Sequence, residues 1–336
     1  MSVTIKDIAK VANVSYATVS RALNNSHEIS DKTKKRIKEI ADEMGYMPNE
    51  IAKGLVTKSS STIGLIIPDI TNPFFSELAQ GFEECANKYG FQVFLCNSNW
   101  DMEREMRYLS TLYGKRVDGM VITPATNKLD HLSENSFKNM PMVIAAYKPS
   151  YTDCNYVVID DFKSAVIATE YLVKLGHKKI AFIGGREESN TNIERIRGYR
   201  ETLKNHEIQY EVSYVKNGSY KQDSGYELTK DLLLKNETPT AILAGNDIIA
   251  LGVIQAIEEF GLKVPENISV IGFDDISYAS LDKIQLTTVL QPKYKIGEMC
   301  FEILYQKIQN PNDKTHINKI LNPELVIRKT CRGIQI

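Results

Sequence analysis

Three short stretches of helical periodicity open the chain. Ile5, Ile8, Ala9 and Ala12 recur at helical spacing, as do Val19, Ala22 and Leu23, and then Ile37, Ile40, Ala41 and Met44. Stop and start signals separate them. Thr4 with Asp7 reads as a capping box that starts a helix at Ile5. Asn13 tolerates the left-handed turn that ends it, and Ser15 can cap a second helix from Tyr16 to about Leu23. Ser30 caps a third, which Gly45 closes. The second helix leaves Tyr16, Ala17, Thr18, Ser20 and Arg21 outward or flanking. Three short helices with an exposed second member predict an all-α helix-turn-helix domain over 1–48.

A fourth, smaller patch follows. Asn49 can cap it, and Ile51, Ala52 and Leu55 share one face, but the segment is too short to be helical alone and Gly54 weakens it further. The polar run 57–62 makes 49–61 a hinge and linker. From Ile63 the period changes. Strand-like runs at 63–68, 91–96, 119–123, 141–146 and 156–160 alternate with helical patterns, notably 74–89 and 102–116. A second set of strands, at 179–185, 213–218, 241–246 and 268–275, alternates with helices at 162–175, 192–205, 223–234 and 247–260. The pattern predicts an α/β core over 62–336, built as two doubly wound parallel-sheet subdomains. The first spans about 62–159 plus 287–318, and the second about 160–286 plus 319–330. The run 286–292 and the amphipathic 293–309 read as a return crossover into the first unit.

Ligands of open α/β sheets bind beyond the carboxyl ends of the strands. There the sequence places Asp69, Phe74 and Phe75 after the first strand, and Arg195 beyond the loop after 179–185. Tyr220 follows 213–218, Asn246 ends 241–246, Asp274 stands at the end of 268–275 and Gln291 ends the crossover strand. Rings that cover C–H faces, beside forks and carboxylates that bond hydroxyls, are the chemistry of a sugar cleft.

Composition narrows the class. The apolar fraction of 43% and charged fraction of 25% are ordinary for a globular chain. No apolar run is long enough to span a bilayer, and no signal-peptide core opens the chain, so a cytoplasmic protein without a membrane partner is expected. Cys85, Cys96, Cys154, Cys300 and Cys331 are odd in number and scattered, which fits a reduced compartment better than disulfides or zinc. Residues 1–58 carry a net +3 and the remainder a net −4, a weakly basic head that suits a polyanion. Nucleotide-loop, zinc-protease and nucleophile-elbow motifs are all missing, which argues against an enzyme and against a bound cofactor or metal.

The run Ile-x-Asp-Ile-Ala-x-x-Ala-x-Val-Ser-x-x-Thr-Val-Ser-Arg-x-Leu-Asn, from Ile5 to Asn24, resembles the signature of the lactose repressor family. Motifs of the core, Pro-Asp-Ile-x-Asn-Pro-Phe-Phe, Arg-x-x-Gly-Tyr, Asn-Asp-x-x-Ala-Leu-Gly and Val-x-Gly-Phe-Asp-Asp, resemble that family's sugar-sensing, periplasmic-binding-protein-like domain over 63–330. The resemblance implies a dimeric repressor on palindromic operator DNA, controlled by a small effector. It makes Tyr16, Ala17 and Arg21 the main base readers, with Thr4, Ser15, Thr18, Ser20 and Asn24 around them. It makes 49–56 a hinge helix formed on DNA, with Asn49, Ala52 and the wedge Leu55 at the minor groove. For the cleft it implies polar ligand contacts from Arg195, Asn246 and Asp274, ring contacts from Phe74, Phe75 and Tyr220, and a contribution from Thr191, beside the strand-end candidates Asp69 and Gln291. One position departs: many sugar-responsive members carry Asp where this chain has Ala146, followed by Tyr147. Carbon-catabolite members of the family, which answer to a phosphorylated carrier protein, are the rival. The basic residue they use to grip that partner is Glu302 here.

Overall fold

The computed structural model describes residues 3–46, 59–127, 129–133, 137, 139–149, 153–235 and 238–334. The chain forms two compact units, divided after Ser60. Asn49, Ala52 and Leu55 of the expected hinge lie outside the described residues.

The first unit holds helices α1 (Ile5–Ala12), α2 (Tyr16–Leu23) and α3 (Asp31–Glu43). Their starts follow from the caps. The Thr4 amide and hydroxyl both donate to the Asp7 carboxylate, at 3.0 and 2.6 Å. The Ser15 hydroxyl accepts the Thr18 amide and Ser30 accepts that of Thr33. Asn13 closes α1 with φ of 51°, and Arg36 Nη2 donates to the Ala12 carbonyl at 3.2 Å, meeting a helix-end acceptor that would otherwise be orphaned. Ile8, Ala12, Val19, Ala22, Ile37 and Ala41 form the core of this unit, with Leu23, Ile40 and Met44 half-buried at its edge.

The second unit contains two six-stranded sheets. The first comprises β1 (Thr62–Ile67), β2 (Gln92–Asn97), β3 (Gly119–Ile122), β4 (Met142–Ala145), β5 (Asn155–Ile159) and β11 (Asn318–Leu321), in the order β11-β5-β4-β3-β1-β2, all parallel. The second comprises β6 (Ile180–Ile183), β7 (Val215–Lys216), β8 (Ala241–Ala244), β9 (Ser269–Asp274), β10 (Thr287–Leu290) and β12 (Glu324–Val326), in the order β12-β10-β9-β8-β6-β7. Its strands are parallel except β12, which runs against β10. The central strands are apolar throughout because helices cover both faces.

On the first lobe α4 (Pro73–Lys88) and α10 (Lys293–Gln309) cover one face and α5 (Met102–Gly114) the other. On the second lobe α8 (Gln222–Leu234) and α9 (Asp247–Glu259) cover one face, and α6 (Asp161–Lys174) and α7 (Asn190–Asn205) the other. The pair α4 and α10 packs backbone to backbone. A Cβ on Gly81 would collide with the Tyr294 carbonyl, and one on Gly297 with that of Leu78.

The chain passes between the lobes after β5, after β10 and after β11. This corrects the expected boundary at 286/287. Residues 287–290 pair with β9 in the second sheet, and the chain joins the first lobe only from Lys293, through α10 and then β11, which carries the expected 318/319 boundary on to Leu321. Thr287 and Thr288 side chains are completely buried in the second lobe, where Thr288 Oγ1 donates to Asp247 at 2.5 Å. The short strands β11 and β12 complete the two sheets.

Candidate nucleic-acid interface and interlobe cleft

The outward flank of α2 is one exposed face of the first unit. Tyr16 is 55% exposed, and Ser15, Ala17, Arg21 and Asn24 also face solvent, while Thr18 and Ser20 are half-buried. Thr4, Ser15 and Thr18 hold their helices as well. Besides its amide contact, Ser15 Oγ lies 2.8 Å from Thr18 Oγ1. Arg21 pairs with Glu28 at 3.1 Å, both more than half exposed, so the fork can exchange that partner for a phosphate or base edge at little cost.

In the second unit the carboxyl ends of the two sheets face one cleft. Asn72 accepts the Phe74 amide at 3.0 Å and Pro73 takes the first helical position, so α4 starts directly after β1 and sets Phe74 and Phe75 edge to face, 4.9 Å between centroids. From the second lobe, α7 carries Arg195, only 2% exposed. Its Nε and Nη2 both reach Asp161 Oδ1, at 2.9 and 2.7 Å, and Nη1 donates to the Gly245 carbonyl at 2.6 Å. The guanidinium lies over Phe273, 4.3 Å from the ring centroid. Burial pushes the Asp161 carboxyl above its usual range, opposed by Arg195 and by a bond from Thr191. For Arg195, burial disfavours the charge, but Asp161, Asp274 and Tyr220 together hold it more firmly cationic.

Asp274, at the end of β9, has φ of 111°, a conformation side chains rarely adopt. Gln291 Nε2 donates to its carboxylate at 2.9 Å, and the buried Lys293 donates to the carbonyls of Asp274 and Asp275 at 2.9 and 2.6 Å. Burial raises the Asp274 carboxyl to about 7 against the pull of Arg195 and Lys293. Asp247 props this turn from below. Its Oδ2 accepts the Ile276 amide at 2.9 Å, and burial lifts its own carboxyl well above the usual range.

Not every expected site residue is free for a ligand. Asn246 spends its Oδ1 capping α9 on the Ile249 amide, leaving its amide nitrogen. Asp69 Oδ1 accepts the Thr71 amide and hydroxyl at 3.0 and 2.6 Å, closing a local turn with one of its two carboxylate oxygens.

Residues that periodicity did not single out close the cleft. Trp100 stacks on Tyr220 from the opposite lobe, 5.6 Å between centroids. Asn127 Oδ1 accepts both the Tyr147 hydroxyl, at 2.9 Å, and the Asn190 amide, at 3.1 Å, and its amide donates to the Glu188 carbonyl. Asn190 in turn donates to the Lys148 carbonyl at 3.0 Å. The loop bearing Asn127 is held by buried Glu105, which accepts the Ala125 amide at 2.7 Å and pairs with His131 at 2.8 Å. Inside lies a cavity of about 50 Å³, lined on one side by Phe75, Trp100 and Ala146 and on the other by Arg186 and Ser189. Among the described residues no group of His, Cys, Asp and Glu is arranged to hold a metal ion, and no helix is long and apolar enough to cross a membrane.

A helix-turn-helix unit with an open second helix, joined to a two-lobed α/β core with a polar cleft, defines a DNA-binding regulator with a sensing domain. Residues 4–49 match the sequence profile of bacterial regulatory proteins of the lacI family, and residues 60–330 that of periplasmic binding proteins and the sugar-binding domain of the LacI family. The chain belongs to the LacI family of transcriptional regulators. Catabolite control protein A of Priestia megaterium is 38% identical over 305 residues, covering 90% of this chain and 92% of its own. The transcriptional repressor PurR of Aliivibrio salmonicida is 34% identical over 336 residues, covering 98% and 99%. A Lac repressor dimer bound to operator and the anti-inducer ONPF superposes with a TM-score of 0.89 at 29% identity, over 99% of this chain and 100% of that one. A LacI-family regulator from Enterococcus faecium with bound ribose superposes with a TM-score of 0.74 at 31% identity, over 82% and 100%. These relatives are regulators, not enzymes, and so is this chain.

Proposed function

We propose that the chain is a homodimeric cytoplasmic repressor of carbohydrate-metabolism genes, with a small sugar-like effector in the interlobe cleft controlling its grip on a palindromic operator. Tyr16, Ala17 and Arg21 read base edges from the major groove, and Thr4, Ser15, Thr18, Ser20 and Asn24 bond the backbone around them. Leu55, with Asn49 and Ala52, opens the central step from the minor groove. In the dimer, edge strand β2 supplies contact surface: its Phe94 and Leu95 are 44% and 47% exposed in the single chain.

The observation that carries the effector reading is the Arg195 fork. A guanidinium 2% exposed, between Asp161 and the Asp274 region and near the ring of Tyr220, is an assembled polar cluster in a cleft. Asn246, Asp274, Gln291, Thr191 and Asp69 supply the remaining polar contacts, and Phe74, Phe75 and Tyr220 the ring surface. A ligand that binds one lobe arrangement better than the other shifts the dimer, and the coupling is limited by that difference in affinity.

The similarity to a catabolite control protein favours a second reading, in which a phosphorylated carrier protein is the signal. The exposed face of α10 argues against it: Glu302 stands in solvent there, and Glu298 already neutralises Lys295 at 3.0 Å. A solvent-facing carboxylate at that position repels a phosphoryl group. A thermal-shift panel of pentoses, hexoses, disaccharides, sugar phosphates and nucleobases tests the first reading. A ligand at a hundredfold its Kd adds about 2.7 kcal/mol, and Asp274→Asn removes the response. Silence across the panel, with a shift on adding a phosphorylated carrier protein, favours the second.

A further inference from the structure

Trp100 is the single tryptophan of the chain, and its place in the cleft is built. Asn99 and Trp100 both have φ in the left-handed region, at 56° and 57°, which two consecutive non-glycine residues adopt only when held. They are held from both sides. The Ser98 amide donates to the Ile67 carbonyl at the end of β1, at 2.8 Å, and Asp101 accepts the Arg104 amide at the start of α5, at 3.0 Å. The turn delivers the indole across the cleft onto Tyr220, with Phe75 edge-on at 6.1 Å and the Arg186 guanidinium 5.8 Å from the ring. Tyr220 is fixed by its bond to Ser189 at 3.0 Å.

The consequence is a partition. The cavity is lined by Trp100 and Phe75, but by none of Arg195, Asn246, Asp274 and Gln291; of these, Arg195 and Asp274 lie in one electrostatic cluster with Tyr220. We propose that Trp100 is a plug: its indole occupies the slot over Tyr220 that a ring-bearing effector takes, and the effector enters by displacing it. This rests on the small-ligand reading of the cleft and adds to it a residue that sets affinity and the minimum ligand. A small acyclic compound cannot replace the stacking lost, whereas a ring can.

The full-length chain reports on the plug directly, because all tryptophan emission comes from this one residue. D-ribose, D-glucose, cellobiose, glucose 6-phosphate and guanine are titrated against wild type and Trp100→Leu, following thermal shift, calorimetric Kd and tryptophan emission of the wild type. A probe that stabilises the wild type is expected to red-shift its emission as the indole leaves Tyr220. The same probe is expected to bind Trp100→Leu about two- to tenfold more tightly, the worth of one aromatic pair removed from the competing state. A response seen only in Trp100→Leu also supports the plug. Binding with unchanged emission, or weaker binding to Trp100→Leu, overturns the plug and leaves the cleft reading intact. Silence of both chains to every probe overturns both. The emission measurement needs no substitution, so it decides even if Trp100→Leu folds poorly.

Discussion

Replacing Arg195 with alanine tests whether the fork is a structural pin as well as a ligand group. The substitution removes both bonds to Asp161 and the bond to the Gly245 carbonyl, together with the contact to Phe273. What remains is a carboxylate only 9% exposed with no countercharge. Leaving one partner of a buried pair costs about 3–5 kcal/mol, or about 10 °C in Tm for a core of this size. The cost depends on pH. Burial already raises Asp161 in the intact protein, and without Arg195 it rises further. A carboxyl raised in the native state binds a proton that the unfolded chain has released, so stability falls as pH rises from the unfolded value toward the native one. The deficit is therefore small near pH 5 and largest at pH 8. Differential scanning calorimetry of wild type, Arg195→Ala, Asp161→Ala and the double variant at both pH values measures it. The account expects a non-additive cycle, with about 1–3 kcal/mol recovered in the double variant. A Tm within 2 °C of wild type at pH 8, or strict additivity, would refute it. Arg195→Ala is for the same reason a poor ligand-null control, since its stability loss mimics a lost thermal response.

Other substitutions separate stability from function. Asp274→Asn removes a carboxyl raised from 3.8 to about 7, a shift that costs the native state stability above that range, so the variant melts higher than wild type at pH 8 and alike near pH 4 while losing ligand binding; melting curves and calorimetry across pH check both. Arg21→Ala breaks only an exposed ion pair and leaves the Tm unchanged, yet weakens binding to a selected operator by about 1–3 kcal/mol in an anisotropy titration at fixed salt. Leu55→Ala weakens operator binding and leaves the calorimetric Kd for the effector at its wild-type value; equal operator affinity would remove the wedge from the account.

The legible parts of the sequence are those governed by local chemistry. The three helices of the first unit follow from Thr4, Ser15, Ser30 and Asn13, whose capping and turn bonds are local. The alternation of apolar runs and helical patterns gives the two α/β lobes, and the ends of those runs mark the cleft. What was hidden depends on contacts distant in sequence. Strands β11 and β12 are short and hold no fully buried residue, so no periodicity marks them, and only pairing with β5 and β10 makes them strands. Residues 287–290, Thr-Thr-Val-Leu, make a short β-branched run that either sheet could accept, and the buried bond from Thr288 to Asp247 places them in the second lobe. Trp100 and Asn127 sit in polar turns whose partners, Tyr220 and Glu188 to Asn190, are far along the chain. Asp69 reads as a ligand carboxylate because its neighbours match a motif, and the local turn that its Oδ1 closes with Thr71 adds a second role.

The measurement that bears most directly on the account is operator affinity with and without effector. A palindrome selected from random DNA by the full-length chain would be titrated at fixed salt, alone and with a saturating hit from the ligand panel. The account expects a change of about 5–150-fold in Kd, the range of ordinary allosteric coupling, abolished in Asp274→Asn. An operator Kd that stays the same at saturating effector would contradict control through the cleft.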